Sequence, residues 1–372
     1  MARTLKELSL MLPEKPAPIG FYVHTHGLGH AMRVTSIINH LENPATVFSS
    51  FEAPWHNFPE GATYVKLPSE DLADAAYKQP QQTPEHYHYL PLGVNRVGER
   101  YAIMADWIAK EQPAMMFVDV SVEVAQMVRL CSVPVAIPRM HGRRNDKAHL
   151  AAYEVASLLI APFPEWAEQD DTADWIKEKT VYTGALCRFY DQKPDDQNPH
   201  DKPFVLIMTG GCHDEIDMEK INSWADSHPE LDWIIVGNYS EVMVPDLELS
   251  DNIIRKKYVR QVAGYIKHAK YVVAPCSDNI ASEIAYYGKP WICIPFERPF
   301  DEQNCKAEIF ERENIAVVST DWPNSSMITY LLHKADTLDI EKQKQLVNPL
   351  SAKAIASAID TFIRMNRIEA AV

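Results

Sequence analysis

The chain alternates short, nearly uninterrupted apolar runs with segments whose apolar residues recur every three or four positions. IGFYVH, from Ile19 to His24, reads as a buried strand. Beyond a glycine-containing loop, Val34, Ile37, Ile38 and Leu41 fall at helical spacing. ATVFSS, TYVKL, MMFVD, VPVAIP and SLLIAP follow as further strands, with VEVAQMVRLC a helix between two of them. Continuous apolar strands separated by helices indicate a mainly parallel sheet covered on both faces. PQQTPEHYHYLP, ending at Pro91, has no periodicity and reads as a surface loop.

The pattern pauses at YDQKPDDQNPHDKP, from Tyr190 to Pro203, which has three prolines, four aspartates and no aliphatic residue, a linker composition. It restarts with FVLIMT as a strand, a Gly-Gly loop and a helix from about Asp214. DWIIVG, YVVAP and PWICIP are later strands, with helices centred on Ile266, Ile284 and Ile309. After Pro349 a last helix presents Ile355, Ile359, Phe362 and Ile363 on one face. No strand follows it, so that face must dock on an existing layer. The prediction is α/β: two similar halves, each a doubly wound parallel sheet.

A length of 372 residues fits two domains, and 46% hydrophobic with 23% charged residues excludes disorder, collagen and coiled coil. Lys plus Arg number 36 against 51 Asp plus Glu, a formal net charge of -15 that repels phosphate backbones and argues against nucleic acid as a general partner. Six cysteines without a C-x-x-C pair make neither a disulfide framework nor a zinc site, and are expected as reduced thiols. SLLIAPF and WICIPF are far shorter than the ~20 residues of a membrane span. The opening MARTLKELSLMLPEKP has too short an apolar core for a secretory signal. It reads as a tail whose leucines leave peripheral membrane contact open. A cytoplasmic protein is expected.

Ligands of doubly wound sheets bind beyond the C-terminal ends of strands, so chemistry belongs in strand-to-helix loops. Four such loops stand out. His24 to Arg33, HTHGLGHAMR, combines Gly27 and Gly29, which permit a tight turn, with His30 where the helix begins; His30 is a candidate base or a helix cap. It lacks the third glycine of the dinucleotide fingerprint. Thr209 to His213, TGGCH, places Gly210 and Gly211 before a helix, a turn that suits a phosphate, though no Walker lysine follows. Cys276 to Pro290, CSDNIASEIAYYGKP, puts Ser277, Asn279 and Ser282 near a helix start and Glu283 a turn in, where a carboxylate can take two ribose hydroxyls or simply face solvent. Pro295 to Ala307, PFERPFDEQNCKA, offers Asp301, Gln303 and Asn304 to sugar hydroxyls, with helix capping by Asp301 as the alternative.

Together these four elements resemble the GT-B glycosyltransferases, close to the MurG-like UDP-sugar transferases that share the G-x-G-H loop. The resemblance runs through the chain in order, strongest from Tyr258 to Val317, and fails between Ser50 and Gln112. It implies two Rossmann-like domains facing across a cleft. Residues 1–18 form the tail, 19–190 the acceptor-side domain and 191–202 the linker. Residues 203–348 form the nucleotide-sugar domain, and 349–372 a helix crossing back onto the N-terminal domain. It also implies Glu283 on the ribose and Gln303 and Asn304 on the donor sugar. Gly210 and Gly211 fall at the diphosphate, with the helix start at Ser277 to Asn279 as a second anion site. Val259 falls at the base and His30 near the reacting centre. Where the pattern has Gly-Gly-Ser this chain has Gly-Gly-Cys-His, so His213 stands as a substitute donor.

Transfer needs a base for the acceptor hydroxyl and neutralisation of the departing diphosphate. His30 is the expected base, and Asp119, ending MMFVD, either orients it or caps the following helix. Without a D-x-D motif, no metal or other cofactor is expected beyond the UDP-sugar substrate, and the family's usual outcome is inversion. Arg139, Arg143, Arg144 and Lys147 form the densest positive run of the first half, either solvated charge or a seat for an anionic or lipid-linked acceptor. The expected function is therefore a hexosyltransferase using a UDP-sugar. A nucleotide-sugar hydrolase of the same fold and a non-catalytic sugar-nucleotide-binding partner protein remain as alternatives.

Overall fold

The apolar runs pair into two parallel sheets. The computed structural model describes residues 16–24, 28–51, 61–69, 82–192, 194–210, 216–237, 248–256, 259 and 261–369. The first sheet contains β1 (Ile19–Val23), β2 (Ala45–Ser49), β3 (Thr63–Lys66), β4 (Met115–Asp119), β5 (Val135–Pro138), β6 (Leu158–Ala161) and β7 (Thr180–Tyr182), in the order β3-β2-β1-β4-β5-β6-β7. The second contains β8 (Phe204–Met208), β9 (Asp232–Val236), β10 (Ile253–Lys256), β11 (Tyr271–Ala274), β12 (Trp291–Cys293) and β13 (Val317–Val318), in the order β10-β9-β8-β11-β12-β13. Strands β1, β2, β4, β8 and β9 are buried at every position, as their unbroken apolar runs require when helices cover both faces.

The helices that position the site are α1 (Leu28–Ile38), α2 (Asn95–Glu111), α3 (Val122–Leu130), α4 (Lys147–Val155), α5 (Asp278–Tyr287), α6 (Glu302–Arg312) and α7 (Ser351–Glu369). Ser121 caps α3 by accepting from Val124 N, and Asp146 caps α4 by accepting from Ala148 N and His149 N. Gly288, left-handed at φ 65°, ends α5. Helix α7 lays Ile355, Ile359 and Ile363 against Val34, Ile37 and Ile38 of α1, so the last helix returns to the first sheet.

Strand order reverses between β1 and β4, and again between β8 and β11. At such a reversal the following loops diverge and leave a crevice. In the first half the crevice is bounded by His24 and by Asp119, whose strands are in register through Val23 and Asp119. In the second it is bounded by Gly210 and by the segment Cys276–Asn279.

Several elements escape the hydrophobic pattern. Strand β10 lies at a sheet edge and is only half buried, and β13 has two residues, too few to show a period. Helix α2 buries Arg100, Met104 and Ile108, so one of the three buried positions on its stripe is a charge. The helix expected from about Asp214 begins at Met218 among the described residues.

Gly142, in the loop after β5, has φ +118°, and a Cβ there would lie 2.7 Å from the Phe300 carbonyl oxygen of the other half. Gly142→Ala should therefore cost more than about 1 kcal/mol, whereas Gly98→Ala, with open space on exposed α2, should gain roughly 0.5–1 kcal/mol. Thermal melts of the two variants should move in opposite directions. An unchanged melt for Gly142→Ala would mean the halves do not meet at this loop.

Candidate functional site

His30 and Arg33 lie one turn apart on α1 and face Asp119 at the end of the neighbouring strand. His30 Nδ1 is 2.7 Å from Asp119 Oδ2, and Arg33 Nη1 donates to Oδ1 at 3.4 Å. Asp119 is fully buried. Burial alone pushes its carboxyl up, but the Arg33 guanidinium and the His30 hydrogen bond outweigh that and hold it below the ordinary value. An ionised Asp119 accepts, so His30 Nδ1 carries the proton and Nε2 is left as the acceptor nitrogen. The next residue, Val120, is left-handed at φ 62°, a strained state for a β-branched side chain.

His30 lines a cavity of about 1040 Å³ that also touches Tyr22, Tyr101, Val120 and Tyr153, and is closed on the other side by Pro299, Phe300 and Glu302. The two halves meet around it through ion pairs. Arg33 Nη2 lies 3.2 Å from Asp278 Oδ2, Arg143 Nε lies 3.0 Å from Asp301 Oδ2, and Arg144 Nη2 lies 3.2 Å from Glu302 Oε2. Buried Lys306 also pairs with Asp278 and lies 3.7 Å from Glu302. Burial opposes the charge on Lys306, but Asp278 and Glu302 outweigh it and keep the amine protonated.

On the second half, Gly210 is left-handed at φ 64° at the end of β8. Ser277 precedes α5 without a side-chain cap, so its first amides have no such acceptor. A Cβ on Gly29 would come within 3.2 Å of Asn279 Nδ2, which is how closely the first turns of α1 and α5 face each other. Glu283 is 5% exposed, with Arg188 Nε 2.7 Å from its Oε1. That contact misses hydrogen-bond geometry, for Arg188 Nε has no hydrogen-bond acceptor. Burial raises the Glu283 carboxyl despite the Arg188 charge.

No protein-family model matches the chain. The glycotransferase of kitacinnamycin superimposes with a TM-score of 0.68 at 12% identity, covering 94% of this chain and 100% of that one. The calicheamicin glycosyltransferase CalG4 gives 0.66 at 14% identity, covering 94% and 99%, and MurG of Acinetobacter baumannii gives 0.62 at 12%, covering 92% and 99%. The fold is GT-B. In sequence, the UDP-N-acetylglucosamine--N-acetylmuramyl-(pentapeptide) pyrophosphoryl-undecaprenol N-acetylglucosamine transferase of Prochlorococcus marinus subsp. pastoris is 30% identical over 135 residues. That alignment spans 34% of this chain and about a third, 36%, of that protein.

Within the GT-B cleft the structure brings His30, Asp119, Gly29 and Asn279 together. The other expected site residues have the following surroundings. Ser282 is buried and its hydroxyl donates to the Asn279 carbonyl 2.9 Å away, inside its own helix. Gln303 is 2% exposed and its Oε1 accepts from Phe296 N, bracing the loop before α6. Asp301 does not cap that helix: it takes Arg143 and, at 2.7 Å, the Asn304 amide. Val259 is half buried against the core. The arginines of the basic run all have carboxylate partners. Arg139 is buried in a two-nitrogen pairing with Glu168, and Arg143 and Arg144 are taken by the opposite half. Gly27, Gly211 and His213 lie outside the described residues, as does the tail through residue 15.

Sequence reasoning passed over Arg33, Asp278, Lys306, Arg188 and Phe300. Only Arg33 carried a signal, three residues after His30 on the same helix.

His88, Asp146 and His149 place three donor atoms within 4.8 Å of one another, a set of the type that holds zinc. The hydrogen bonds do not fit a cation. His149 Nε2 is 3.0 Å from Arg144 Nη1, which donates, so Nδ1 carries the proton toward Asp146. A metal on Nδ1 would move that proton to Nε2, donor against donor.

Burial pushes the imidazoles of His141 and His149 down to about 4, from an ordinary 6.5. The unfolded chain then binds more protons between those values, so stability is full above about pH 6.5 and falls as pH drops toward 4. Each histidine should contribute a slope of about 1 kcal/mol per pH unit at most. Urea unfolding across this window should show the fall, and His141→Asn should flatten it. An unchanged slope in that variant would remove His141 as a source.

Proposed function

We propose that the chain is an inverting, metal-independent glycosyltransferase that moves a hexose or N-acetylhexosamine from a UDP-sugar to an acceptor hydroxyl, with His30 as general base. The observation that carries this is the His30–Asp119 pair, whose acceptor nitrogen belongs to a residue lining a large cavity at the cleft. Similar proteins supply the donor class: the Prochlorococcus relative is a UDP-N-acetylglucosamine transferase and a Polygonum tinctorium neighbour is a UDP-glucosyltransferase. The acceptor hydroxyl gives its proton to His30 Nε2 while its oxygen bonds to the anomeric carbon. The bond to UDP breaks on the opposite side, and UDP leaves with the electron pair. One displacement inverts the centre. Asp119, already ionised, stabilises the imidazolium and fixes its tautomer.

The diphosphate is assigned to the Gly210 turn and the N-terminus of α5, whose amides and dipole neutralise it without a metal. Binding the ribose at Glu283 exchanges the off-angle Arg188 contact for two hydroxyls. A cavity of about 1040 Å³ beside the base favours transfer over hydrolysis, which needs room for one water only. A cytoplasmic location fits the five free cysteines among the described residues, and no described helix is long and apolar enough to cross a membrane.

His30→Ala should lower turnover ~10²–10⁴-fold with UDP affinity preserved, and Asp119→Asn should cost less. Near-normal turnover in His30→Ala would end its role as base. UDP should raise the melting temperature of the wild type and do so much less for Glu283→Ala. Activity should survive EDTA, and loss on chelation restored by manganese would contradict metal independence.

A further inference from the structure

The cavity beside His30 has walls of a consistent chemistry. Tyr101, Val97, Ile137, Tyr153 and Phe300 give it an aromatic and aliphatic surface, and its volume of about 1040 Å³ suits a drug-sized molecule. Three guanidiniums line it, and each already has partners. Arg100 is 3% exposed and donates to the Tyr22 hydroxyl, Ser50 Oγ and the Pro68 carbonyl. Arg144 is held by Glu302, the His141 carbonyl and His149. Arg298 donates to the Glu297 carbonyl and lies over the Phe296 ring. The Glu123 and Glu302 carboxylates share the lining, and His149 is held neutral by burial. A phosphate placed here would lose its hydration and, to regain a cation, either break the Arg144–Glu302 pair or draw Arg100 or Arg298 away from the oxygens that hold them.

The second half completes this surface. Phe300 and Asp301 are consecutive left-handed residues, φ 59° and 58°, a costly pair for side chains of this size. The strain projects the Phe300 ring into the first half, 4.6 Å from the His149 ring, 5.0 Å from His88 and 5.1 Å from the Arg144 guanidinium. The wall opposite α2 therefore exists only when the halves are together.

We propose that the acceptor is a compact, uncharged molecule with an aromatic body and a hydroxyl group, held against Tyr101, Tyr153 and Phe300, and not a lipid- or polymer-linked phosphate. This rests on the glycosyltransferase reading and names the substrate class of the same site. The aromatic body stacks on the rings, and the hydroxyl is what must reach His30 Nε2.

Equilibrium binding of umbelliferone, a neutral fluorescent phenol, tests it at a pH where the phenol is uncharged, with farnesyl phosphate as competitor. Umbelliferone should bind the wild-type protein, and binding should weaken by about tenfold or more in Val97→Trp, which fills the cavity, and in Phe300→Ala, which removes a wall. Both variants should keep the wild-type response to UDP in melting, and farnesyl phosphate should not displace the phenol. If Val97→Trp fails to fold, exposed Phe300→Ala decides alone. Displacement by farnesyl phosphate, no umbelliferone binding, or equal binding by wild type and Phe300→Ala would each overturn the proposal. UDP binding without umbelliferone binding sinks this inference alone. Umbelliferone binding without any UDP response leaves the cavity's ligand class standing and sinks the glycosyltransferase reading.

Discussion

A carboxylate without solvent governs the cleft. Asp119 is fully buried at the end of β4, and an ionised group there costs several kcal/mol unless cations approach it. His30 and Arg33 do so, but Arg33 is itself only 11% exposed and needs a second carboxylate, which comes from Asp278 across the cleft. Asp278 in turn draws in buried Lys306, Lys306 lies near Glu302, and Glu302 meets Arg144 of the first half. One buried charge thus propagates as an alternating chain that crosses the cleft twice. Removing a member takes one of the counter-charges from each neighbour it holds. Bringing the halves together and keeping the His30 partner ionised are therefore a single electrostatic event.

Backbone strain gathers at the same place. Val120, Phe300 and Asp301 are left-handed without being glycines, and Val120 and Phe300 line one cavity from opposite halves. Such conformations persist when surroundings over-determine them. Here the surroundings are the Arg143 pairing with Asp301, the Arg143 amide donating to the Phe300 carbonyl, and the space Gly142 leaves for that carbonyl.

Much of the fold was legible because doubly buried strands leave unbroken apolar runs, and the glycine loops marked where strands hand over to helices. His30 and Asp119 were legible as separate candidates at strand ends. Their union depends on strand order, which places β4 beside β1 and which no local pattern encodes. The Arg33–Asp278 pair joins residues 245 apart in sequence, beyond any periodicity. Glu283, Gln303 and Ser282 were read from residue type, loop position and the family resemblance. Their burial and partners follow from tertiary packing, as when Arg188, just before the linker, meets Glu283. Helix α2 hid because Arg100 occupies its buried stripe, its charge satisfied by oxygens of Tyr22, Ser50 and Pro68.

Base catalysis at this site turns on which ring nitrogen of His30 carries the proton. Nitrogen NMR of histidine-labelled protein, with the His30 signals identified by their loss in His30→Gln, reads this directly and needs no acceptor. In the neutral imidazole, an ionised Asp119 predicts the proton on Nδ1 and a bare Nε2. A proton on Nε2 with a bare Nδ1 would turn the base into a donor and contradict the account.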